Sequence, residues 1–508
     1  MQELHTPGLA VQWLQKNVTG TLFADSRKVK PGDGFIAWPG AVADPRGHVA
    51  DALSRGASAC LVEQEGAEAF GFPDACIGHY AGLKIGAGAI ASEFFGSPSR
   101  QLAVVAVTGT NGKTSTAWWL AQALSALPAS LALPCGVIGT LGVGRPPVAD
   151  AAGSGSVSPT GFTTPDPVLL QQTLRQFVDS GLKACAIEAS SIGIEEHRMN
   201  ATHIRVAVFT NFTQDHLDYH GSMDAYWQTK RKLFSWPGLA SAVINVDDPR
   251  GAELAAEMDS AKLDVWTVSA QKAARLQARN VTYAADGLQF EVVEGNAAQL
   301  LRTRMIGSYN VSNLLGVLAA MRCLGISLEA AVQACGSLHP VPGRMECLGD
   351  EGLPTVAVDY AHSPDALAQA LSALRPLATQ RGGRLWCVFG CGGDRDASKR
   401  PLMGAIAAQN ADQVVVTSDN PRSEKPEAII SQILLGLLKS QAVEVQSDRA
   451  LAIADVVSRA MPGDVILIAG KGHEESQEIS GVKHPFSDRA HAQQALRKRQ
   501  LPVIGAKP

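Results

Sequence analysis

The chain has 508 residues, 44 of them basic and 48 acidic, for a net charge of −4. That length exceeds what one hydrophobic core supports and, at about 150 residues per domain, suggests roughly three domains. The near-neutral balance excludes a global field for nucleic acid or an anionic membrane, so any anion site must be local. Nine cysteines show no paired metal spacing, Cys387 and Cys391 having no second pair to match, and reduced thiols in a cytosol fit best. No apolar run approaches the ~18 residues of a membrane span, and Met1–His5 carries no basic segment ahead of an apolar core. A cytoplasmic protein, monomeric and engaging neither nucleic acid nor membrane, is expected.

Residues 20–65 alternate short apolar runs with turns such as Lys30-Pro-Gly-Asp-Gly34, then give a helix-like segment from His48 to Arg55 and an apolar Ala59–Val62. These are the marks of a small α/β unit. A helical stretch near 81–95 runs into Gly96-Ser-Pro-Ser99, whose breakers make a linker. Next comes Val104-Val-Ala-Val-Thr-Gly-Thr-Asn-Gly-Lys-Thr-Ser115, an apolar strand ending abruptly in a glycine-rich turn before a helix. Strands at Ala184–Ile187, Val206–Phe209 and Ala242–Asn245 follow, separated by helical stretches, the alternation of a parallel sheet. Residues 148–161, rich in Gly, Ser and Ala, are expected to form a mobile surface loop. Prolines and a glycine at 338–346 suggest a second joint, after which Val356–Asp359, Leu385–Phe389, Gln413–Thr417 and Val465–Ala469 each run into a polar or glycine-rich turn. The predicted class is α/β in three domains, with boundaries at 1–99, 100–341 and 342–508. The first is a small α/β unit, the second a P-loop-type, mostly parallel sheet flanked by helices, and the third a Rossmann-like α/β domain.

The glycine-rich turn carries the clearest chemistry. Gly109 and Gly112 let backbone N–H groups close on phosphate oxygens, Lys113 adds a positive charge, and Thr114 or Ser115 can ligate magnesium. Val107 stands where the standard P-loop has its first glycine, so the loop is a shorter variant. Glu188 follows a strand directly. Alone it reads as a solvated cap, but a phosphate loop in the same sheet favours a metal role. Asn211-Phe-Thr-Gln-Asp-His-Leu-Asp-Tyr-His220 packs two aspartates and two histidines together. Either Asp215 caps a short helix, or His216 is a metal ligand or its support. In the third unit, Phe389-Gly-Cys-Gly-Gly-Asp-Arg-Asp396 and Thr417-Ser-Asp-Asn-Pro-Arg-Ser-Glu424 combine backbone freedom with both charges, suited to gripping an amino acid. The second is otherwise an Asp-Asn-Pro turn with an exposed arginine.

Together, Thr108–Thr114, Glu188, Asp215-His216, Asn310-Val-Ser-Asn313, Gly343-Arg344, Asp359-Tyr-Ala-His362 and Gly470-Lys-Gly-His-Glu474 resemble the Mur ligases of peptidoglycan synthesis, and the resemblance spans nearly the whole chain. The turn Asp419-Asn-Pro-Arg422 matches the version associated with meso-diaminopimelate rather than lysine. The resemblance implies an ATP-dependent ligase, forming ADP and phosphate, that adds meso-diaminopimelate to UDP-N-acetylmuramoyl-L-alanyl-D-glutamate. It implies that Gly109, Thr110, Asn111, Gly112, Lys113, Thr114 and Ser115 hold ATP, with Asn313 at the adenine, Arg344 at the phosphates and Asp359 at the ribose. Thr114 and Glu188 would bind magnesium; Lys230, as a carbamate, would work with His216 near a second magnesium ion. Ser26 would meet the uridine diphosphate in the first domain, and Thr163, Thr164, Ser190, Glu196 and Arg198 the muramoyl dipeptide. Arg395, Asp419, Asn420, Pro421, Arg422, Gly470 and Glu474 would hold diaminopimelate.

This sequence departs from the family pattern at Ile192, Glu196, Phe162 and Ala41-Val42, all at the nucleotide-sugar end. Competing readings are a lysine-adding or folylpolyglutamate synthetase-like ligase and, from another class, a nucleotide-dependent switch ATPase.

Overall fold

The computed structural model describes residues 2–40, 43–72, 76–148, 155–258, 262–284, 287–350, 352–437 and 443–500. Three sheets carry the chain in sequence order. The first is five-stranded and parallel, in the order Gln2–Glu3, Ile77–Tyr80, Ala59–Glu63, Gly34–Ala37, Leu22–Phe23. The helices predicted near 48–55 and 81–95 are Val49–Ser54 and Leu83–Phe94.

The second sheet has eleven strands. At its centre Ala103–Thr108 lies between Ala184–Glu188 and Val206–Phe209, all parallel and in register. These strands are apolar and buried on both faces, as a parallel sheet covered by helices requires. Lys113–Ser125 and Tyr309–Cys323 cover one face through a core that includes Trp119, Leu120, Leu314 and Leu318. Leu170, Leu174 and Phe177 of Pro167–Asp179 and Trp227 of Met223–Arg231 cover the other. Several helices announce their starts with a capping side chain followed by proline: Asp166 accepts from the Val168 and Leu169 amides, and Asp248 from Arg250 and Gly251.

Two edge features of this mostly parallel sheet go beyond the sequence reading. Leu276–Ala284, Gly287–Glu294 and Ala297–Arg302 form an antiparallel meander at one edge. The last of these strands is exposed at nearly every position, so no apolar alternation betrays it. At the other edge, part of the expected loop at 148–161 is a strand: Val157–Ser158 pairs with Gly142–Gly144. A Cβ on Gly144 would sit 1.9 Å from the Ser156 carbonyl oxygen. Gly142, Gly144 and, within that stretch, Gly155 therefore allow close approach of paired backbones. Residues 149–154 of that stretch, and Ala41-Val42, lie outside the described residues.

The third sheet is ordered Glu346–Leu348, Thr355–Asp359, Val465–Ala469, Leu385–Phe389, Gln413–Val416, Val443–Val445, parallel except for its first strand. A hairpin, Ser476–Ile479 with Val482–Pro485, stands beside it. In both larger sheets, the parallel strands deliver their loops to the carboxyl edge, where open α/β sheets bind ligands.

Candidate active site

The turn after Ala103–Thr108 is shaped by glycine. Gly109 and Gly112 have φ of +148° and +82°, and a Cβ on Gly112 would lie 2.3 Å from Asn313 Oδ1. Gly112 is also the N-cap of Lys113–Ser125, and no side chain caps that helix. Its first N–H groups are thus available to an anion, reinforced by the helix dipole. The Lys113 ammonium folds back onto the carbonyls of Gly109 (2.9 Å) and Thr110 (2.8 Å). Burial pulls its pKa below the ordinary lysine value, while Glu188 and Asp215 oppose that shift.

Glu188 ends the neighbouring strand, and both its oxygens are engaged. Thr114 donates to Oε2 at 3.0 Å, and the Thr140 amide to Oε1 at 2.7 Å. Thr140 Oγ1 lies 3.0 Å from Thr163 Oγ1, and Thr164 donates to the Glu188 carbonyl while bonding Ser190. Arg198 donates to the Thr164 carbonyl and stacks over the exposed Phe162 ring at 5.2 Å. Thr163, Thr164, Ser190 and Arg198 therefore form one network ending on Glu188. Glu196 points elsewhere, bonded to Lys84 of the first sheet's domain and to Tyr219. Ser26 sits apart, buried in a short turn of that same domain.

On the other flank Lys230, 1% exposed, donates to the Gly109 carbonyl at 2.8 Å and faces the Tyr226 ring. Burial, with Lys113 adding to it, holds the Lys230 amine well below the ordinary value. His216 is itself the N-cap of Leu217–His220, at φ +52°, with no side-chain cap. The helix-cap reading of Asp215 is thereby corrected, since its carboxylate accepts from the His216 amide instead. Burial first, with Lys113 and Lys230 adding to it against the opposing pull of Asp215, lowers the His216 pKa.

Residues of the third sheet reach this loop. Arg344 Nη2 donates to Thr114 Oγ1 at 3.2 Å, and Asn111 Nδ2 donates to Asp365 Oδ2 at 3.0 Å. Arg344 Nε is buried without a hydrogen-bond partner, as suits a cation that receives phosphate oxygens. Asp359 accepts from the Met345 and Ala361 amides, beside Arg344. Asn313 bonds Asn310 and packs against Gly112. No group of three or more His, Cys, Asp or Glu side chains forms a metal cage among the described residues. Thr114 with Glu188 is instead the sparse oxygen set that suits magnesium shared with phosphates.

At the third sheet's carboxyl edge, Asp419 and Gly470 meet: a Cβ on Gly470 would lie 2.3 Å from Asp419 Oδ2. Asn420 donates to Glu474 at 2.7 Å, and the fully buried Lys471 ammonium bonds both, at 2.9 Å each. Arg422, at φ +51°, donates to the Gly393 carbonyl and lies 3.6 Å from Glu478. Pro421 precedes it in the same turn, and the exposed Arg395 shares the space over Gly392 with it.

Residues 107–321 match the Mur ligase middle domain and 343–472 the Mur ligase glutamate ligase domain. The chain is 59% identical to the UDP-N-acetylmuramoyl-L-alanyl-D-glutamate–2,6-diaminopimelate ligase of Acidovorax sp. (strain JS42), over 98% of this chain and 99% of that one. The chain is a Mur ligase. A solved structure of a ligase with the same name is 34% identical, with a TM-score of 0.64 over 95% of each chain. The MurF ligase of Thermotoga maritima in complex with ADP shares the fold, with a TM-score of 0.65 at 20% identity over 94% of this chain and 97% of that one.

Within this Mur ligase, sequence reasoning passed over several residues of the site. Tyr226 contacts Thr110 of the phosphate loop, and Asp365 reaches that loop from the first turn of the helix Pro364–Gln380. Their only sequence signal is position: Asp365 is the acidic residue in the first turn of a Ser-Pro-capped helix, which ordinarily marks a dipole partner. His362 and His473 flank Tyr360, and burial lowers both, His473 to about 3.

A neutral buried histidine binds fewer protons folded than unfolded, so stability must fall with pH below about 6.5 and level off near His473's folded value. Melting temperatures between pH 7 and 5 should show that decline, and His473→Gln should make it shallower, His362 still contributing. An unchanged slope would contradict the assignment.

Proposed function

We propose that this Mur ligase joins meso-diaminopimelate to UDP-N-acetylmuramoyl-L-alanyl-D-glutamate, using ATP and releasing ADP and phosphate. The observation that carries this reading is the meeting of two carboxyl edges. Arg344, from the start of the third sheet, touches Thr114 of the phosphate loop, while the Asp419–Arg422 turn stands on that sheet's own edge. The names of the relatives point to the same substrates.

In this reading the loop from Gly109 to Ser115, with Arg344, holds the ATP phosphates, and Asn313 and Asp359 hold the nucleoside. Thr163, Thr164, Ser190, Arg198 and Ser26 hold the nucleotide-sugar dipeptide. Arg395, Asp419, Asn420, Arg422, Gly470 and Glu474 hold diaminopimelate. The D-glutamate side-chain carboxylate attacks the γ-phosphorus, and an acyl phosphate forms as ADP departs. Bringing those like charges to 4 Å costs about 1 kcal/mol per pair in water and several times more in a drier site. Lys113, displaced from the loop carbonyls, moves its charge onto the phosphoryl oxygens. Thr114 and Glu188 would hold one magnesium ion, and His216 with a carbamylated Lys230 would lie near a second; when bound, these ions would supply further neutralisation of that charge. The diaminopimelate amine then attacks the acyl carbon, and the tetrahedral adduct expels phosphate to leave the amide. Holding amine and acyl phosphate on facing domains converts an encounter in solution into an intramolecular step. We assign the protein to the cytoplasm, since the proposed substrates are soluble; no helix among the described residues is long and apolar enough to cross a membrane.

Purified protein with ATP, magnesium and the UDP-linked dipeptide should release ADP and phosphate when meso-diaminopimelate is added, and far less with lysine. Equal turnover with lysine would reassign the acceptor, and AMP with pyrophosphate would overturn the mechanism. Because a guanidinium cannot form a carbamate, Lys230→Arg should lower kcat by about 100-fold or more, the scale seen when one transition-state contact is removed. Near-normal turnover of that variant would exclude the role.

A further inference from the structure

Arg449 and Asp488 form an ion pair in which both side chains are 0% exposed. Nothing in the reaction described above uses it. Arg449 is the first residue of Arg449–Arg459, and Asp488 the first of Asp488–Gln500. The carboxylate is well placed at a helix N-terminus, but the guanidinium sits at the wrong end of its own helix dipole. A buried ion pair is in general weak support for stability, since apolar replacements of equal volume are often neutral. What distinguishes this one is where its remaining donors go.

Arg449 binds Asp488 through two parallel bonds, Nε to Oδ1 and Nη2 to Oδ2, both 2.7 Å. Nη2 also donates to the Ala469 carbonyl at 2.8 Å, and Nη1 to the Ser418 carbonyl at 3.2 Å. Those two carbonyls immediately precede Gly470 and Asp419. The strands leading to them are not neighbours: Leu385–Phe389 runs between Val465–Ala469 and Gln413–Val416. The guanidinium thus spans three strand ends and fixes the separation of two loops that pack without room for a Cβ at Gly470. Burial alone would lower its pKa, yet Asp488, with Asp419 and Glu474 beyond, holds it above the ordinary value.

We infer that Arg449 and Asp488 are positioning residues for the amino-acid pocket, setting the gap between the Asp419 and Gly470 loops without touching the substrate. The inference rests on the proposed ligase reading. A lysine at 449 offers one compact charge in place of a planar fork and cannot reach both carbonyls and the carboxylate.

The test compares wild type, Arg449→Lys, Asp488→Asn and the double variant Arg449→Met/Asp488→Leu, measuring melting temperature and KM for each substrate. The double variant leaves no unpaired charge and should fold, with KM for diaminopimelate raised roughly ten-fold, the scale of losing about one to two hydrogen bonds. KM for ATP and for the UDP-linked dipeptide should stay near wild type. Arg449→Lys should show the same selective rise, and Asp488→Asn, which keeps one acceptor, a smaller one. A folded double variant with unchanged KM for diaminopimelate would overturn the inference. So would an equal rise for all three substrates, or a double variant that does not fold, which would make the pair purely structural. Wild type that ignores diaminopimelate would count against the ligase reading instead.

Discussion

Two parallel sheets end face to face, and the contacts between their carboxyl edges hold the site together. Arg344 reaches Thr114, and Asp365 reaches Asn111. Each sheet alone presents half a reaction. The strand register of the central sheet puts the phosphate loop beside Glu188 and the Thr210-Asn211 turn, and that of the third sheet brings Asp359, Gly470 and the Asp419 turn to one edge. The chemistry of an activated carboxylate needs the two held together and water kept out, which is a demand on domain placement more than on any single side chain.

The phosphate loop shows how crowded that meeting is. The carbonyl of Gly109 accepts from the ammonium groups of both Lys113 and Lys230. Two buried like charges on one oxygen are tolerable only with acidic neighbours and lowered pKa values, and both lysines show the second. Asp215 supplies part of the first: although burial pushes it up, His216, His362 and Lys113 hold it below the ordinary carboxylate range. The loop in this state is self-satisfied, its cations bonded to its own backbone. Nucleotide phosphates would take over those donors, which ties occupancy of the loop to rearrangement of Lys113.

How far the sequence foretold this depended on whether neighbours in space were neighbours in the chain. The strand–loop–helix around Lys113 was legible because its glycines, lysine and hydroxyls are contiguous, and so was the turn from Asp419 to Arg422. Central parallel strands such as Ala184–Glu188 were legible as apolar runs. The meander from Leu276 to Arg302 was not, because an exposed edge strand carries no alternation. The Gly142–Gly144 edge was hidden because glycine, a breaker locally, is there a condition for close pairing. Asp365, Lys471, Tyr226 and Arg449 were given no role for one reason: each meets a partner 39 or more residues away, Arg449 at Asp488, Lys471 at Asn420 over 51, Tyr226 at Thr110 over 116 and Asp365 at Asn111 over 254. Ile192, a departure from the family pattern, lies in Ser191–Glu195, and Phe162, another, forms the stacking surface under Arg198. Neither substitution disturbs the network that ends on Glu188.

The central claim is that the facing edges transfer phosphate to a carboxylate rather than to water. Labelling the D-glutamate side-chain carboxylate of the UDP-linked dipeptide with oxygen-18 tests it directly. Turnover in ordinary water should place one labelled oxygen in each released phosphate. Unlabelled phosphate would mean that water attacked ATP, and the account of this site as an acyl-phosphate-forming ligase would fail.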